Sequence, residues 1–350
     1  MLVFLTGGTG FVGSHTVAAL TRRGHRVRLL VRNEDRVATA LAPHGVPASA
    51  IESVVVGNAT DRTVGERALS GGDAVVHAAS VYSLDVAAAT KIHRVNAPAA
   101  NAVLHAAVAA NIDPIVYVSS YVTYLGAGRS SIHPDDPVGT PKGAYALSKA
   151  AGERIARALQ EQGAPITSIY PGTVWGPHDP RGKWSDSQRT AYLLLRGRTP
   201  FALPGGFPVV DVRTIASAIA ASVEPGRGPR RYLLGGHYVT WQELTAMARD
   251  ITGRRIVQIP TPLAMAKATG RTCDALRRVL PARPPFGYEG PWYLEVSPRT
   301  DDSRALSELG LVHPAARQTI SDQIDWMVTT GLLTARQAGR VQPAAGLVHS

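Results

Sequence analysis

The sequence predicts an α/β protein: a doubly wound parallel sheet with a smaller C-terminal substrate-binding lid. Two observations carry the sheet. Short apolar runs of about four to six residues, rich in β-branched side chains, alternate with alanine-rich helical stretches, which is how strands buried on both faces read in sequence. A glycine-rich turn follows the first of these runs directly. A third observation carries the lid: after Pro171 the composition shifts to frequent proline, glycine and tryptophan through Pro208, and short strands and helices then resume.

Taken in order, the predicted strands are Leu2–Thr6, Arg26–Val31, Ser53–Val56, Ala74–His77, Ile115–Ser119 and Ile166–Tyr170. One helix runs from the glycine turn through Leu20, another follows Val31, and two more occupy Pro98–Ala110 and Tyr145–Gln162, with Gly163 as the stop signal of the last. Strands and helices alternating in this way build a parallel sheet through helical crossovers. Residues 1–170 and 209–236 are assigned to the sheet domain, 171–208 and 237–335 to the lid, and 336–350 to a loose tail. No internal repeat is visible.

The turn reads Thr6-Gly7-Gly8-Thr9-Gly10-Phe11-Val12-Gly13. Gly7 permits the tight turn, Gly10 lets backbone approach a diphosphate, and Gly13 lets helix pack closely on strand. The helix behind it points unpaired N–H groups at the anion. Glycine triplets also serve plain turns; here strand before and helix after make it a dinucleotide cradle.

Across 350 residues, 45% are hydrophobic and 18% charged, enough for a large core in one or two joined domains. The start of the chain has a strand pattern rather than that of a targeting segment, and no apolar run is long enough to span a bilayer, so a soluble cytoplasmic protein is expected. The single cysteine, Cys273, has no partner for a disulfide or a thiolate metal site. The net charge of +11 comes from scattered arginines, with only Lys91, Lys142, Lys149, Lys183 and Lys267 as lysines. Clustering with aromatic residues is missing, so no nucleic acid partner is expected. A helical stretch from about Leu263 to Leu280 carries Lys267, Arg271, Arg277 and Arg278 among apolar residues. Membrane-surface contact through it is compatible with this pattern, but a cap helix over a pocket is favoured. A homodimer is equally compatible.

The second constellation is Tyr145-Ala146-Leu147-Ser148-Lys149 at the head of a helix. Four residues make about one turn, so phenol and ammonium share a face. A nearby lysine favours the phenolate and brings tyrosine toward the range of a general acid or base. The spacing alone is common on exposed helices; its position behind a dinucleotide loop gives it weight.

With these residues the sequence resembles the extended short-chain dehydrogenase/reductase family, which includes NAD-dependent epimerase/dehydratases. The resemblance spans nearly the whole chain, through the glycine loop, His77-Ala78-Ala79-Ser80, Asn96, Ser119-Ser120, Tyr145 and Lys149, Tyr170 to Pro177, and Val210-Asp211-Val212. It implies a Rossmann fold in which Tyr145 is the catalytic acid/base, Lys149 holds the nicotinamide ribose and tunes the tyrosine, and Asn96 supports the site. It also implies cofactor contacts from Thr6, Gly7, Gly10, Phe11, Val12, Gly13, His77, Ala78, Ala79, Pro171, Gly172 and Val174. Gly57-Asn58-Ala59 resembles the adenine-binding segment, with Asn58 where an aspartate is usual and Ala59 beside it. The family's substrate-binding serine or threonine falls, by register, on Tyr121; Ser120 or Thr123 is expected to take its role.

Cofactor choice follows from the end of the second strand. An acidic residue there would bind the ribose hydroxyls of NAD. This chain has Val31 followed by Arg32, and a guanidinium suits a 2′-phosphate. NADP(H) is favoured and NAD(H) remains open; a solvated arginine is the plain alternative. Other residues have bland readings. His77 is expected to pack near the cofactor without metal, His178 and Asp179 to sit in a loop, Asp211 to order a turn, and some of Trp175, Trp184, Tyr192 and Phe207 to form an apolar pocket wall.

The resulting expectation is an NADP(H)-dependent oxidoreductase that interconverts a ketone or aldehyde with an alcohol on a small or medium apolar substrate. Within the family the likeness is to dihydroflavonol 4-reductase-like and 3β-hydroxysteroid dehydrogenase-like members. A nucleotide-sugar epimerase/dehydratase and a non-catalytic NADP-binding sensor remain as alternatives.

Overall fold

The computed structural model describes residues 1–180, 186–197, 199, 201–276 and 287–342. Along the first half run β1 (Leu2–Thr6), α1 (Phe11–Arg22), β2 (Arg26–Val31), α2 (Asp35–Leu41), β3 (Ile51–Val56), α3 (Arg62–Leu69), β4 (Ala74–His77), α4 (Ala89–Ala109), β5 (Ile115–Val118), β6 (Ser131–Ile132), α5 (Ala144–Glu161), β7 (Ile166–Pro171) and β8 (Thr173–Trp175). There follow α6 (Asp186–Leu195), β9 (Phe201–Ala202), β10 (Gly206–Asp211), α7 (Val212–Ala221), β11 (Arg230–Leu234), β12 (His237–Thr240), α8 (Trp241–Thr252), β13 (Ile259–Pro260) and α9 (Leu263–Leu276). The last elements are α10 (Glu289–Val296), β14 (Arg299–Thr300), α11 (Ser303–Leu309), α12 (Ala316–Thr329) and α13 (Ala335–Ala338).

Seven parallel strands form the central sheet in the order β11-β7-β5-β4-β1-β2-β3. The alternation of a strand decides which core each residue joins. Val3 and Leu5 of β1 face α1 and α7 with Val17, Leu20, Ile215 and Ile219, while Phe4 faces α4 and α5 with Leu104, Ala107, Ala156 and Leu159. Both faces being covered, all five residues of β1 are buried, which explains the unbroken apolar run. The order reverses at β1 and β4, the switch point at which such sheets open a crevice beyond their carboxyl ends.

The lid has its own small sheet, β12-β10-β8, and a core in which Trp175, Val209, Val239, Leu244, Ile320, Ile324 and Met327 meet. Helix α8 begins with a capping box between Thr240 and Glu243 and ends at Gly253 with φ 67°. Asp211 caps α7 through the Arg213 N–H at 2.8 Å, pairs with the Arg213 guanidinium at 2.6 Å and accepts from Thr319 at 2.9 Å. It orders the junction between lid and sheet.

Two sequence expectations need correction. Helix α4 begins at Ala89 rather than Pro98, because Asp85 caps a short lead-in turn through the Ala87 N–H and Pro98 is held inside the helix. The expected loose tail is ordered at its start: Thr334 and Gln337 form a capping box, Ala338 is buried, and the Arg340 side chain bonds the carbonyl oxygens of Ile251 and Asp250. Helix α9 is described to Leu276; Arg277, Arg278 and Leu280 lie outside the described residues. Among the described residues no helix is long and apolar enough to cross a membrane.

Helix α5 is held to the sheet by a buried polar network. Glu153 accepts from Tyr170 at 2.6 Å and from Arg157 at 2.9 Å, and Arg157 also donates to the Asp136 carbonyl at 2.7 Å and to the Tyr124 hydroxyl at 3.1 Å. Glu153 is fully buried, so removing it strands a guanidinium in the interior. Glu153→Ala is expected to lower unfolding free energy by about 3–5 kcal/mol, read by urea denaturation.

Candidate active site

The carboxyl ends of the central strands open into a cavity of about 500 Å³ that continues beneath the lid. At one end lies the glycine turn. Gly7 has φ 83°, and a Cβ there would stand 2.7 Å from the Ala79 nitrogen. A Cβ on Gly13 would overlap the Gly7 carbonyl oxygen, so β1 and α1 meet at a distance only glycine allows. At Gly10 a Cβ would touch only that carbonyl, at 3.3 Å. Helix α1 has no side-chain cap and no acidic residue in its first turn, and Phe11, Val12 and Gly13 line the cavity. Its orphan N–H groups and dipole therefore face the cavity unmatched, and a diphosphate would satisfy them. The residues present fit a dinucleotide.

Thr6 and His77 lie beneath the cavity wall rather than on it. The Thr6 hydroxyl accepts from the Ala79 N–H at 3.2 Å and contacts His77 Nδ1 at 2.8 Å. Burial, helped by the charge of Lys149, pushes His77 down to about 3, so its imidazole is neutral. Among the described residues no histidine, cysteine or carboxylate group is arranged to hold a metal. Ala78, Ala79, Ser80 and Val81 line the wall after β4, while Arg32, Asn58 and Ala59 line the far end. Arg36 joins Arg32 there. Sequence reasoning passed over it, although a second arginine four residues on, at the start of the next helix, was a readable signal.

The other end gathers Tyr145, Lys149, Ser120, Tyr121, Pro171, Gly172 and Val174. Lys149 crosses under the wall and donates to the Val118 carbonyl at 2.9 Å. Burial lowers it to about 8, against the pull of Glu153. Tyr145 packs edge-on to Tyr82 with centroids 4.8 Å apart. Burial raises the Tyr145 phenol above its ordinary range, a hydrogen bond with Ser120 works against this, and Tyr121 adds to it. The expected lowering by Lys149 is not found in this arrangement, because the ammonium is directed to Val118 and burial dominates. Tyr145 is a neutral phenol here.

Two residues fall elsewhere than the sequence suggested. Thr123 is fully buried off the cavity and gives its hydroxyl to the Ser120 carbonyl at 2.9 Å; only Ser120 of the two candidates meets Tyr145. Tyr121 turns aside, its hydroxyl 3.1 Å from that of Ser297. Asn96 does not line the cavity. It clamps Val81 in both directions, at 2.7 and 3.0 Å, and donates to Ser148 at 2.9 Å, so the strand exit after β4 is tied to α5.

The lid side of the cavity is mainly apolar, with Leu193, Phe201, Leu203, Phe207, Trp241, Pro291, Tyr293 and Leu294 on it, and Arg189, Thr190 and Thr199 add polar groups there. Of the aromatic residues expected there, Phe207 is present, Trp175 is buried in the lid core, Tyr192 packs against that core and takes a bond from Arg196, and Trp184 lies outside the described residues. His178 instead meets His44 at 5.7 Å and His15 at 6.3 Å between ring centroids, in a cluster off the cavity.

Residues 3–235 match the NAD dependent epimerase/dehydratase family. The chain belongs to this family. It is also an extended short-chain dehydrogenase/reductase by its relatives. It is 27% identical over 337 residues to "Sterol demethylase protein B" of Methylococcus capsulatus, covering 95% of this chain and 100% of that protein. It is 29% identical over 341 residues to a "Putative dihydroflavonol 4-reductase" of Synechocystis sp., covering 94% and 95%. The crystal structure of gox2253 superposes with a TM-score of 0.77 at 26% identity, over 95% of this chain and 99% of that one. Members of this family are oxidoreductases and related enzymes on a Rossmann sheet with a nicotinamide dinucleotide.

The close approach at the glycine turn makes a strong test. Gly13→Ala is expected to cost about 3 kcal/mol of stability or more and to abolish dinucleotide binding, measured by thermal melting and by quenching of tryptophan fluorescence on titration with NADPH.

Proposed function

We propose that this enzyme is an NADP(H)-dependent reductase that interconverts a ketone or aldehyde with an alcohol on an apolar substrate. One observation carries the reading: the Tyr145 phenol and the Ser120 hydroxyl meet where a dinucleotide-shaped cavity passes into an apolar lid pocket. A nicotinamide held beside Tyr145 by this cavity would supply hydride to the carbonyl carbon, or accept it in the reverse direction. Ser120 holds the substrate oxygen, and Tyr145, kept neutral by burial, donates its proton to that oxygen as negative charge grows there. The atoms balance as carbonyl plus hydride plus proton giving alcohol. Lys149, one turn on from Tyr145 with its ammonium on the Val118 carbonyl, would hold the nicotinamide ribose. Names borne by relatives, a sterol demethylase component and a dihydroflavonol reductase, support a polycyclic apolar substrate, in keeping with the aromatic and aliphatic lid wall.

The preference for NADP(H) rests on Arg32 and Arg36 at the cavity's far end, where β2 offers no carboxylate. Replacing both by alanine is expected to weaken NADPH binding roughly 100-fold and NADH binding little, read by fluorescence titration; equal losses for the two cofactors would refute the assignment.

Turnover of NADPH and NADH against ketones, hydroxysteroids and nucleotide sugars tests the reaction. Tyr145→Phe is expected to lose at least about 100-fold in kcat with cofactor binding intact. Unchanged turnover would exclude the proton role, and turnover confined to nucleotide sugars would favour an epimerase or dehydratase.

A further inference from the structure

Glu289 lies off the cavity, yet its carboxylate rests on the start of the helix that carries Tyr145. Gly143, at the head of α5 with φ 89°, supplies no side-chain cap. A Cβ on it would overlap Glu289 Oε1, so the carboxylate rests directly on the Gly143 backbone, where the Ala144 N–H favours its charged form. A side chain from a distant part of the chain thus takes the place of an N-cap residue. It sets negative charge beside the orphan donors at the positive end of the helix dipole. The next residue is Tyr145, and Lys149 stands one turn on. On its other side α10 borders the substrate space through Gly290, Pro291, Tyr293 and Leu294.

We propose that Glu289 is a positioning residue, a carboxylate clasp through which lid helix α10 fixes the first turn of α5 and, with it, Tyr145. The role given to Tyr145 rests on the reductase reading; the clasp itself does not.

The surroundings make the clasp sensitive to pH. Burial, then the like charge of Asp274 on α9, pushes the Glu289 carboxyl up to about 7, while the Ala144 N–H pulls the other way. Oε2 is buried with no hydrogen-bond partner among the described residues. Asp274 accepts from the Tyr288 N–H at 2.9 Å, Arg271 stacks on the Tyr288 ring at 4.6 Å, Tyr293 shares the helix, and exposed Lys142 precedes Gly143. The ionised form makes the clasp, so its hold weakens as pH falls through about 7.

The sign for stability is opposite. Because the folded state raises this carboxyl above its ordinary 4.5, the native protein loses stability as pH rises from about 4.5 to about 7. A glutamine, which does not titrate, escapes that loss. Glu289→Gln is therefore expected to melt higher relative to the unmodified enzyme at pH 8 than at pH 5. A difference that does not change with pH overturns the pH sensitivity; the clasp itself is read by amide hydrogen exchange at Ala144, which Glu289→Gln is expected to speed several-fold at pH 8, and unchanged exchange overturns the clasp. In turnover, kcat of the unmodified enzyme should decline below pH 7. Glu289→Gln should lose that decline and run roughly tenfold slower at pH 8, with the NADPH KM unchanged, and Glu289→Asp should restore part of it. A glutamine variant with the full kcat and pH profile overturns the positioning role. If no carbonyl compound is turned over, the reductase reading has failed, and amide exchange at Ala144 decides the clasp alone.

Discussion

Helix α5 must lie close enough to the sheet for Lys149 to reach the Val118 carbonyl while Tyr145 stays at the cavity rim, and the rest of the site depends on that constraint. Gly152 makes the approach possible, since a Cβ there would overlap the Tyr117 hydroxyl. Behind it Glu153 ties the helix to Tyr170 on β7, and Arg157, paired with Glu153 on the same helix, reaches the Asp136 carbonyl; on the flank Ser148 ties it through Asn96 to the exit of β4. Such contacts add modestly to net stability but are costly to leave half made. Their effect is to allow the helix one position.

The cavity changes character along its length, and the change follows from backbone geometry as much as from side chains. One end has an uncapped helix terminus and two guanidiniums, a surface that favours anions. The other has aromatic and aliphatic side chains from the lid, which favour apolar surface withdrawn from water. Between them stand the few polar groups with chemical work to do. Burial keeps Tyr145 and His77 neutral and weakens the proton affinity of Lys149, so the middle of the cavity holds little fixed charge.

Much of this was legible in the sequence. The strands were readable to within one or two residues because the central ones, β1, β4 and β5, are fully buried and the edge strands keep β-branched and aliphatic runs, and the glycine turn because glycine there answers to contacts no other residue permits. Tyr145 and Lys149 were visible through a one-turn spacing on a helix. What escaped depended on tertiary placement. Which hydroxyl among Ser120, Tyr121 and Thr123 meets Tyr145 is decided by the short 3₁₀ turn over Tyr121–Tyr124, which sends Thr123 inward. The lysine's partner was hidden because nothing local aims it at Val118. Glu289 was hidden more deeply, since it serves a helix that begins at Ala144, far away along the chain.

Tyr121 has a consequence for how the substrate range of this enzyme can change. Its ring borders the cavity while its hydroxyl meets Ser297, just beyond the lid helix α10. One side chain therefore both shapes the cavity and contributes a bond to the joint between lid and sheet. A smaller residue would enlarge the space for substrate and in the same step loosen that joint, so room for bulkier molecules is gained at less cost elsewhere on the wall, among residues with no second duty.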